Sequence, residues 1–117
     1  MLETPVGNIY FAGDTGYHNE YFKEIGKRFP KIDLGLIPIG AYHPRPVFGN
    51  YHVDPHDAVV IHQEVGSKQS IGIHWGTFRL TQEPLDEPPK ELALQVKAAG
   101  LPDQVFTAMK IGETRVF

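Results

Sequence analysis

The sequence has no cysteine, and it has only one tryptophan and two methionines among its 117 residues. Without cysteine there are no disulfide bonds and no thiolate ligands, so histidine and carboxylate side chains must bind any metal. No apolar run approaches the ~20 residues that cross a bilayer, and no signal-peptide pattern opens the chain. The formal net charge of −3 provides no basic surface for nucleic acid. We expect a cytoplasmic protein without a nucleic-acid partner or transmembrane segment, and peripheral membrane contact stays open.

Short apolar runs alternate with amphipathic stretches along a chain of one domain's length. The predicted order is β-α-β-α-β-α-β-β, an α/β arrangement with no internal repeat. Strands joined by helical crossovers are expected to be parallel, and ligands gather at the carboxyl ends of such strands. The predicted strands are 8–12, 34–39, 70–74, 105–108 and 114–117, the last two as a hairpin around 110–113. The predicted helices are 19–29, 54–66 and 89–99.

Helix signals are clearest around residues 54–66. Asp54 is a favourable N-cap, Pro55 suits the first helical position, and Gly66 is a typical residue to end the helix. Inward-facing positions are predicted for Ala58, Ile61 and Val65, and in the last helix for Leu92, Val96 and Ala99. The segment 40–53, with its prolines, glycines and aromatic residues, is predicted to be a long loop of functional length.

Asp14 and His74 each follow an apolar run and precede a turn of small residues. A strand-end carboxylate and a strand-end imidazole are both suitable zinc ligands. The alternative for Asp14 is an Asx-turn or N-cap residue, and for Gly-Asp-Thr-Gly alone this reading is the stronger one. The alternative for His74 is a core histidine bonded to backbone, and here the two readings are about even.

Other histidines and one arginine complete the candidates. His52 lies two residues before the N-cap Asp54, where it can serve as an acid, a base or a substrate contact; otherwise it is a loop histidine. Arg45 can bind a phosphate group, although a single arginine often has no specific partner. A hydrolytic zinc site needs at least three protein ligands, and the candidates for a third, without clean ligand spacing, are His18, His43 and His52. His56 and His62 are expected at the surface or in a second layer.

Five motifs occur in an order that resembles the C-terminal half of the metallo-β-lactamase superfamily. They are residues 11–17 (FAGDTGY), 22–26 (FKEIG), 37–42 (IPIGAY), 52–55 (HVDP) and 74–78 (HWGTF). The sequence is most similar to the branch that contains N-acylphosphatidylethanolamine-hydrolysing phospholipase D and its bacterial relatives. The resemblance covers residues from about 6 to 115, and it implies one half of an αββα sandwich.

The resemblance also implies a two-metal centre, usually zinc, and roles for particular residues. Asp14 matches the aspartate that bridges the metals, and His74 matches the last histidine ligand. His52 matches a histidine that contacts substrate, and we expect it to be catalytic. Tyr42 and Arg45 are the further expected substrate contacts. Glu83, with the proline pair 88–89, fits the loop that follows the last ligand.

The chain departs from the family pattern because it contains no His-x-His-x-Asp-His motif. We therefore expect one domain, residues 1–117, that is the C-terminal half of a phosphodiester-cleaving metallohydrolase with a lipid-like or small-molecule substrate. The half is expected to be inactive alone and to pair with the missing half or with itself. The alternatives are a non-catalytic α/β module that self-associates and, last, a flavodoxin-like domain, for which a Gly-rich phosphate loop is absent.

Overall fold

A mixed five-stranded sheet organises the chain, and the computed structural model describes all of residues 1–117. The strands are β1 (Leu2–Thr4), β2 (Gly7–Phe11), β3 (Ile32–Pro38), β4 (Ser67–Ile73) and β5 (Phe106–Ala108). The helices are α1 (Tyr21–Arg28), α2 (Arg45–Phe48), α3 (Pro55–Val65) and α4 (Glu87–Ala98).

The strands follow one another in the sheet in chain order, β1-β2-β3-β4-β5. The β1–β2 pair is antiparallel, and every later pair is parallel, as the helical crossovers predict. Each crossover steps to the next strand in the same direction. Because such connections are right-handed, α1, α3 and α4 all lie on one face of the sheet. A side-chain contact agrees with this, since His62 of α3 hydrogen-bonds Ser70 of β4.

The hydrophobic core lies between those helices and the sheet. Ile32, Ile37, Ile61 and Phe106 are at most 1% exposed, and each such side chain contributes about 1.5–3 kcal/mol by burial. The full cluster is Tyr10, Phe22, Ile32, Ile37, Ile39, Val53, Ala58, Val59, Ile61, Val65, Leu92, Val96 and Phe106.

The opposite face of the sheet carries apolar side chains that no helix covers. Register places Leu2, Ile9 and Leu34 in one row across it, and Phe11, Leu36 and Ile71 in another. Phe11 is 60% exposed and Leu2 is 58% exposed. We call these six residues the open face.

The end signals of α3 are confirmed. The Asp54 side chain accepts a 2.8 Å hydrogen bond from the backbone N–H of Asp57, and Gly66 ends the helix in the left-handed conformation, with φ of 68°. The predicted inward residues Ala58, Ile61 and Val65 are buried. None of the four helices combines the length and the hydropathy that a bilayer crossing needs.

The predicted element order is wrong at both ends of the chain. The β1 strand is absent from the prediction because it is only three residues long and has no sequence pattern of its own. It is recognised as a strand only by its pairing with β2. Residues 114–117 form no strand; Arg115 contacts Thr107 through its side chain, and no backbone ladder forms.

Two smaller corrections concern the long loop and the last helix. The loop at 40–53 includes the short helix α2. Helix α4 begins at Glu87, two residues early, because prolines are tolerated in a first turn. Ala99 is exposed, since it follows the last residue of that helix.

Candidate metal centre

The residues of the candidate metal centre lie just after the carboxyl ends of three parallel strands. Asp14 follows β2, Gly40 follows β3, and His74 directly follows β4. The Nε2 atom of His74 lies 3.3 Å from Oδ1 of Asp14. Its Nδ1 atom lies 3.3 Å from the carbonyl oxygen of Gly40. The imidazole therefore spans two neighbouring strand ends, with one nitrogen on a carbonyl and the other on a carboxylate.

Two backbone segments lie very close to each other at this edge of the sheet. His74 itself has φ of 59°, in the left-handed region that residues other than glycine rarely adopt. A Cβ atom on Gly40 would lie only 2.3 Å from the His74 carbonyl oxygen, so glycine is required there. Strain of this kind is concentrated at functional sites. The turn that carries His74 is thus held against β3 by steric fit.

His52 reaches the same edge from the loop before α3. Its ring stacks on that of His74, with centroids 5.4 Å apart and planes inclined by 17°. Its Nδ1 atom is buried and has no hydrogen-bond partner. The backbone N–H of Val53 donates to the carbonyl of Thr15 at 3.0 Å, which joins this loop to the turn after Asp14. The structure therefore brings Asp14, His52 and His74 together.

The donor set fits a divalent metal of the zinc type. The carboxylate of Asp14 and the imidazole of His74 are the oxygen and nitrogen ligands that zinc prefers. The Asp14 side chain is 63% exposed, so this edge of the sheet is open to a solute. The polar partner of the Asp14 carboxylate is His74. The carboxylate of Asp14 faces His74, and the N-cap of the following helix is Glu20 rather than Asp14. His74 contacts a carboxylate as well as backbone, so it is not a core histidine bonded only to backbone.

Comparison with known proteins identifies the family. The sequence model of the beta-lactamase superfamily domain matches residues 1–75. The chain belongs to the metallo-β-lactamase superfamily. It is 42% identical over 107 residues to N-acyl-phosphatidylethanolamine-hydrolyzing phospholipase D 1 of Caenorhabditis elegans, a match that spans 90% of the chain and 30% of that protein. This confirms the family and the branch inferred from the motifs.

Two further matches agree with the family. A metal-dependent hydrolase of Geobacillus is 34% identical over 105 residues, covering 90% of the chain and 38% of that protein. The solved metallo hydrolase of the archaeon Ignicoccus hospitalis superposes with a TM-score of 0.68 at 27% identity, over 94% of the chain and 40% of that structure. The chain thus spans about two fifths or less of the length of these relatives. The predicted fold class is confirmed.

Arg45 is one of the predicted substrate contacts. Each nitrogen of its guanidinium group already contacts an oxygen within the chain. Its Nη2 lies 2.6 Å from Oδ2 of Asp57, and its Nε lies 3.2 Å from Oδ2 of Asp54. Its Nη1 donates to the carbonyl of His52 at 3.0 Å. The arginine thus fixes the loop that carries His52, and contact with substrate stays a prediction.

Tyr42, the other predicted substrate contact, is only 3% exposed. Its hydroxyl donates to Oε1 of Glu87 at 2.7 Å. Burial raises the pKa of Tyr42, and the hydrogen bond and charge of Glu87 raise it further. The phenol therefore stays protonated at neutral pH, and its contact with substrate also stays a prediction.

The remaining histidines do not join the centre. The His18 ring stacks on Tyr21, and Nε2 of His43 lies 3.6 Å from Glu87. His56 is exposed, whereas His62 is buried in the core. His56 does lie near two carboxylates, Asp54 and Asp57. Those carboxylates already neutralise the guanidinium of Arg45, so this second cluster is a structural ion-pair network.

Glu83 is the residue whose importance sequence reasoning missed. An acidic residue in a proline-rich loop indicates a solvated position, yet Glu83 is 6% exposed. Its carboxylate accepts hydrogen bonds from Thr81 and from three consecutive backbone amides at 41–43. Because the three amides are some forty residues away in sequence, no local pattern could indicate them.

A cavity of about 310 Å³ adjoins His74 on the side of the loop at 75–88. Its lining includes Gly40, His74, Trp75, Phe78, Leu80 and Leu85. Phe78 is 75% exposed and Leu80 is 65% exposed. The edge of the sheet therefore offers polar ligands beside a partly apolar space.

Proposed function

We propose that the chain forms part of a zinc-dependent hydrolase that cleaves phosphodiester bonds of phospholipid-like substrates. The observation that carries the proposal is the meeting of Asp14, His52 and His74 at one sheet edge. Similarity to a relative named as a phospholipase D supports the substrate class. Similarity to two metal-dependent hydrolases supports the reaction type.

Each residue at the edge has a chemical part in this proposal. Asp14 and His74 would hold the metal, since their carboxylate and imidazole atoms face each other at 3.3 Å. Zinc, when bound, supplies Lewis-acid stabilisation of phosphoryl charge and activates water. The His52 ring stacks on that of His74, so it would lie beside a substrate bound at this edge and could exchange a proton or a hydrogen bond with it.

The cavity beside His74 gives the substrate class its structural support. Its volume of about 310 Å³ is at the lower end of ordinary ligand pockets. Phe78, Leu80 and Leu85 provide apolar surface next to the polar edge. A phosphodiester with apolar substituents would match both parts. Exposed apolar residues at the rim also suit peripheral contact with a lipid surface.

A second candidate is a non-catalytic module that acts by self-association, and the open face favours it. Both candidates agree with the fold, but they differ in metal chemistry. The hydrolase requires that Asp14 and His74 bind metal, whereas the module does not. In either case we propose that another polypeptide surface covers the open face, either a second copy or a further part of the hydrolase.

Metal titration of the purified chain tests the proposal. We expect Co²⁺ or Zn²⁺ to bind weakly, because the two proposed ligands from this chain, Asp14 and His74, leave the set of a two-metal centre incomplete. Asp14→Asn and His74→Gln should each abolish this binding, while His56→Gln, a change on the exposed face of α3, should not. Binding that survives both ligand changes would refute the metal role. Tight stoichiometric zinc on the chain alone would refute the incomplete site.

Activity is tested by replacing the matching segment of the Caenorhabditis elegans relative with this chain. We expect the chimera to hydrolyse N-acylphosphatidylethanolamine in mixed micelles, and we expect the Asp14→Asn change within it to remove the activity. The His56→Gln change serves as the control for folding. A folded, metal-loaded chimera that cleaves no phosphodiester would favour the non-catalytic module.

A further inference from the structure

The carboxylate of Glu83 is held by four donors. Oε1 accepts from the backbone N–H of Ala41 at 2.6 Å and of Tyr42 at 3.1 Å, and from the Thr81 hydroxyl at 2.7 Å. Oε2 accepts from the N–H of His43 at 3.0 Å. Burial raises the pKa of Glu83, but these hydrogen bonds outweigh it and leave the pKa below its usual value. The group is therefore ionised and oriented at neutral pH.

The first of those donors belongs to the same peptide unit as the Gly40 carbonyl. A peptide group is planar and trans, so its N–H and C=O point in opposite directions. Glu83 holds the N–H side of the Gly40–Ala41 peptide, and Nδ1 of His74 lies at the C=O side, 3.3 Å away. Ala41 has φ of 67°, an unfavourable conformation that the Glu83 hydrogen bonds stabilise.

We propose that Glu83 is a positioning residue for His74. By holding the Gly40–Ala41 peptide, it aims the Gly40 carbonyl at Nδ1 of His74. A carbonyl only accepts hydrogen bonds, so it favours the tautomer of the neutral imidazole with the proton on Nδ1, while the Asp14 carboxylate, 3.3 Å from Nε2, competes for that proton when no metal is bound. The use of Nε2 as a metal ligand depends on the proposed function, whereas the effect of the Gly40 carbonyl on the tautomer ratio does not.

The test compares Glu83→Gln with Glu87→Gln in the metal-free chain. In Glu83→Gln an NH₂ group replaces one oxygen and cannot accept from a backbone N–H. The remaining amide oxygen can still accept from Ala41, but it lacks the carboxylate charge, so the hold on the peptide is weaker. The matched control removes the charge of Glu87, which accepts from the Tyr42 hydroxyl at the start of α4, and leaves the amides at 41–43 untouched. Imidazole ¹⁵N chemical shifts, recorded where His74 is neutral, report which nitrogen carries the proton.

We expect the same Nδ1-protonated fraction of neutral His74 in the wild type and in Glu87→Gln, and a smaller fraction in Glu83→Gln. Zinc affinity should fall about 10–100-fold in Glu83→Gln alone. Thr81→Val, which removes one donor to Glu83, should shift the tautomer ratio in the same direction by less. This milder variant decides the matter if Glu83→Gln does not fold.

An unchanged His74 tautomer in Glu83→Gln, or in Thr81→Val if the former is unfolded, would overturn the proposal. Equal loss in Glu87→Gln would overturn it as well, because loop stability alone would then explain the effect. A normal tautomer response in a chain that binds no zinc would support the role of Glu83 and count against the metal centre. The two ideas can thus fail separately.

Discussion

The guanidinium of Arg45 lies between two carboxylates and the backbone carbonyl of His52. Arg45→Gln would leave Asp54 and Asp57 close together without their common cation. Because unpaired, partly buried charges are costly, we expect the free energy of unfolding to fall by about 1–3 kcal/mol. Urea unfolding measures this loss. Lys31→Gln, a change at an exposed lysine without an ion pair, is the control.

The same variant separates two roles for Arg45. If the arginine binds a substrate phosphate, as the sequence predicts, Arg45→Gln should leave stability near wild type and raise the KM of the chimera. If it orders the loop, stability falls and the stacking of His52 on His74 is lost. The stacked rings give ring-current shifts in the NMR spectrum, which provide a second measurement.

At the residue scale, predictability depends on whether a signal is local. Asp14 and His74 stand directly after apolar runs, so their place at the strand ends follows from the sequence. The partners of Arg45 and Glu83 do not, because a hydrogen bond to a distant amide or carboxylate leaves no mark in the neighbouring residues. From the sequence alone a polar residue is expected in solvent, whereas tertiary packing determines whether it is in fact buried.

Helix α3 and strand β4 are joined by a buried polar contact. Nδ1 of His62 lies 2.8 Å from Oγ of Ser70, and the Phe106 ring packs 5.5 Å from the imidazole. Burial lowers the pKa of His62 below its ordinary value of 6.5. The unfolded chain therefore binds a proton at a pH where the folded chain does not. Protonation favours the unfolded state, and this helix–strand contact is sensitive to acid.

We expect a loss of stability from His62 as the pH falls from about 6.5 toward its lower folded pKa, with a slope of at most ~1.4 kcal/mol per pH unit. Above about pH 7 the contribution is constant. Chemical unfolding of the wild type and His62→Gln between about pH 5 and about pH 8 measures the difference. His56→Gln, at an exposed histidine of the same helix, should retain the wild-type slope. An identical slope in His62→Gln would contradict the assignment.

The boundaries of helices and strands are likewise predictable only where nearby residues determine them. The ends of α3 are correctly predicted because an N-cap aspartate, a first-turn proline and a left-handed glycine act within a few residues. The β1 strand and residues 114–117 are not, because a short edge strand exists only by pairing. β1 pairs with β2, whereas residues 114–117 have similar composition but gain no backbone partner on β5.

At the scale of the whole molecule, the sheet has two unlike faces. The helices cover one, and the open face presents Leu2, Ile9, Leu34, Phe11 and Leu36 to solvent or to a partner, while its sixth residue, Ile71, is only 6% exposed. Side chains near the C-terminus, including Phe117, line a small cavity beside Ile71 but leave the β1–β2 side bare. In the αββα sandwich that the family resemblance implies, a second sheet would lie on this face. Contiguous apolar area of this kind marks an association surface.

We therefore expect the isolated chain to self-associate through the open face, by the hydrophobic effect. Phe11→Glu places a charge on that face and should shift the chain toward monomer by at least about 10-fold in the dissociation constant, since about 1.4 kcal/mol suffices. Leu94→Glu is a close control: Leu94 is 61% exposed against 60% for Phe11, but it lies on α4, on the other side of the sheet. Sedimentation velocity over a concentration series measures both. A wild-type chain that stays monomeric at every concentration, or equal effects of the two variants, would refute association through this face.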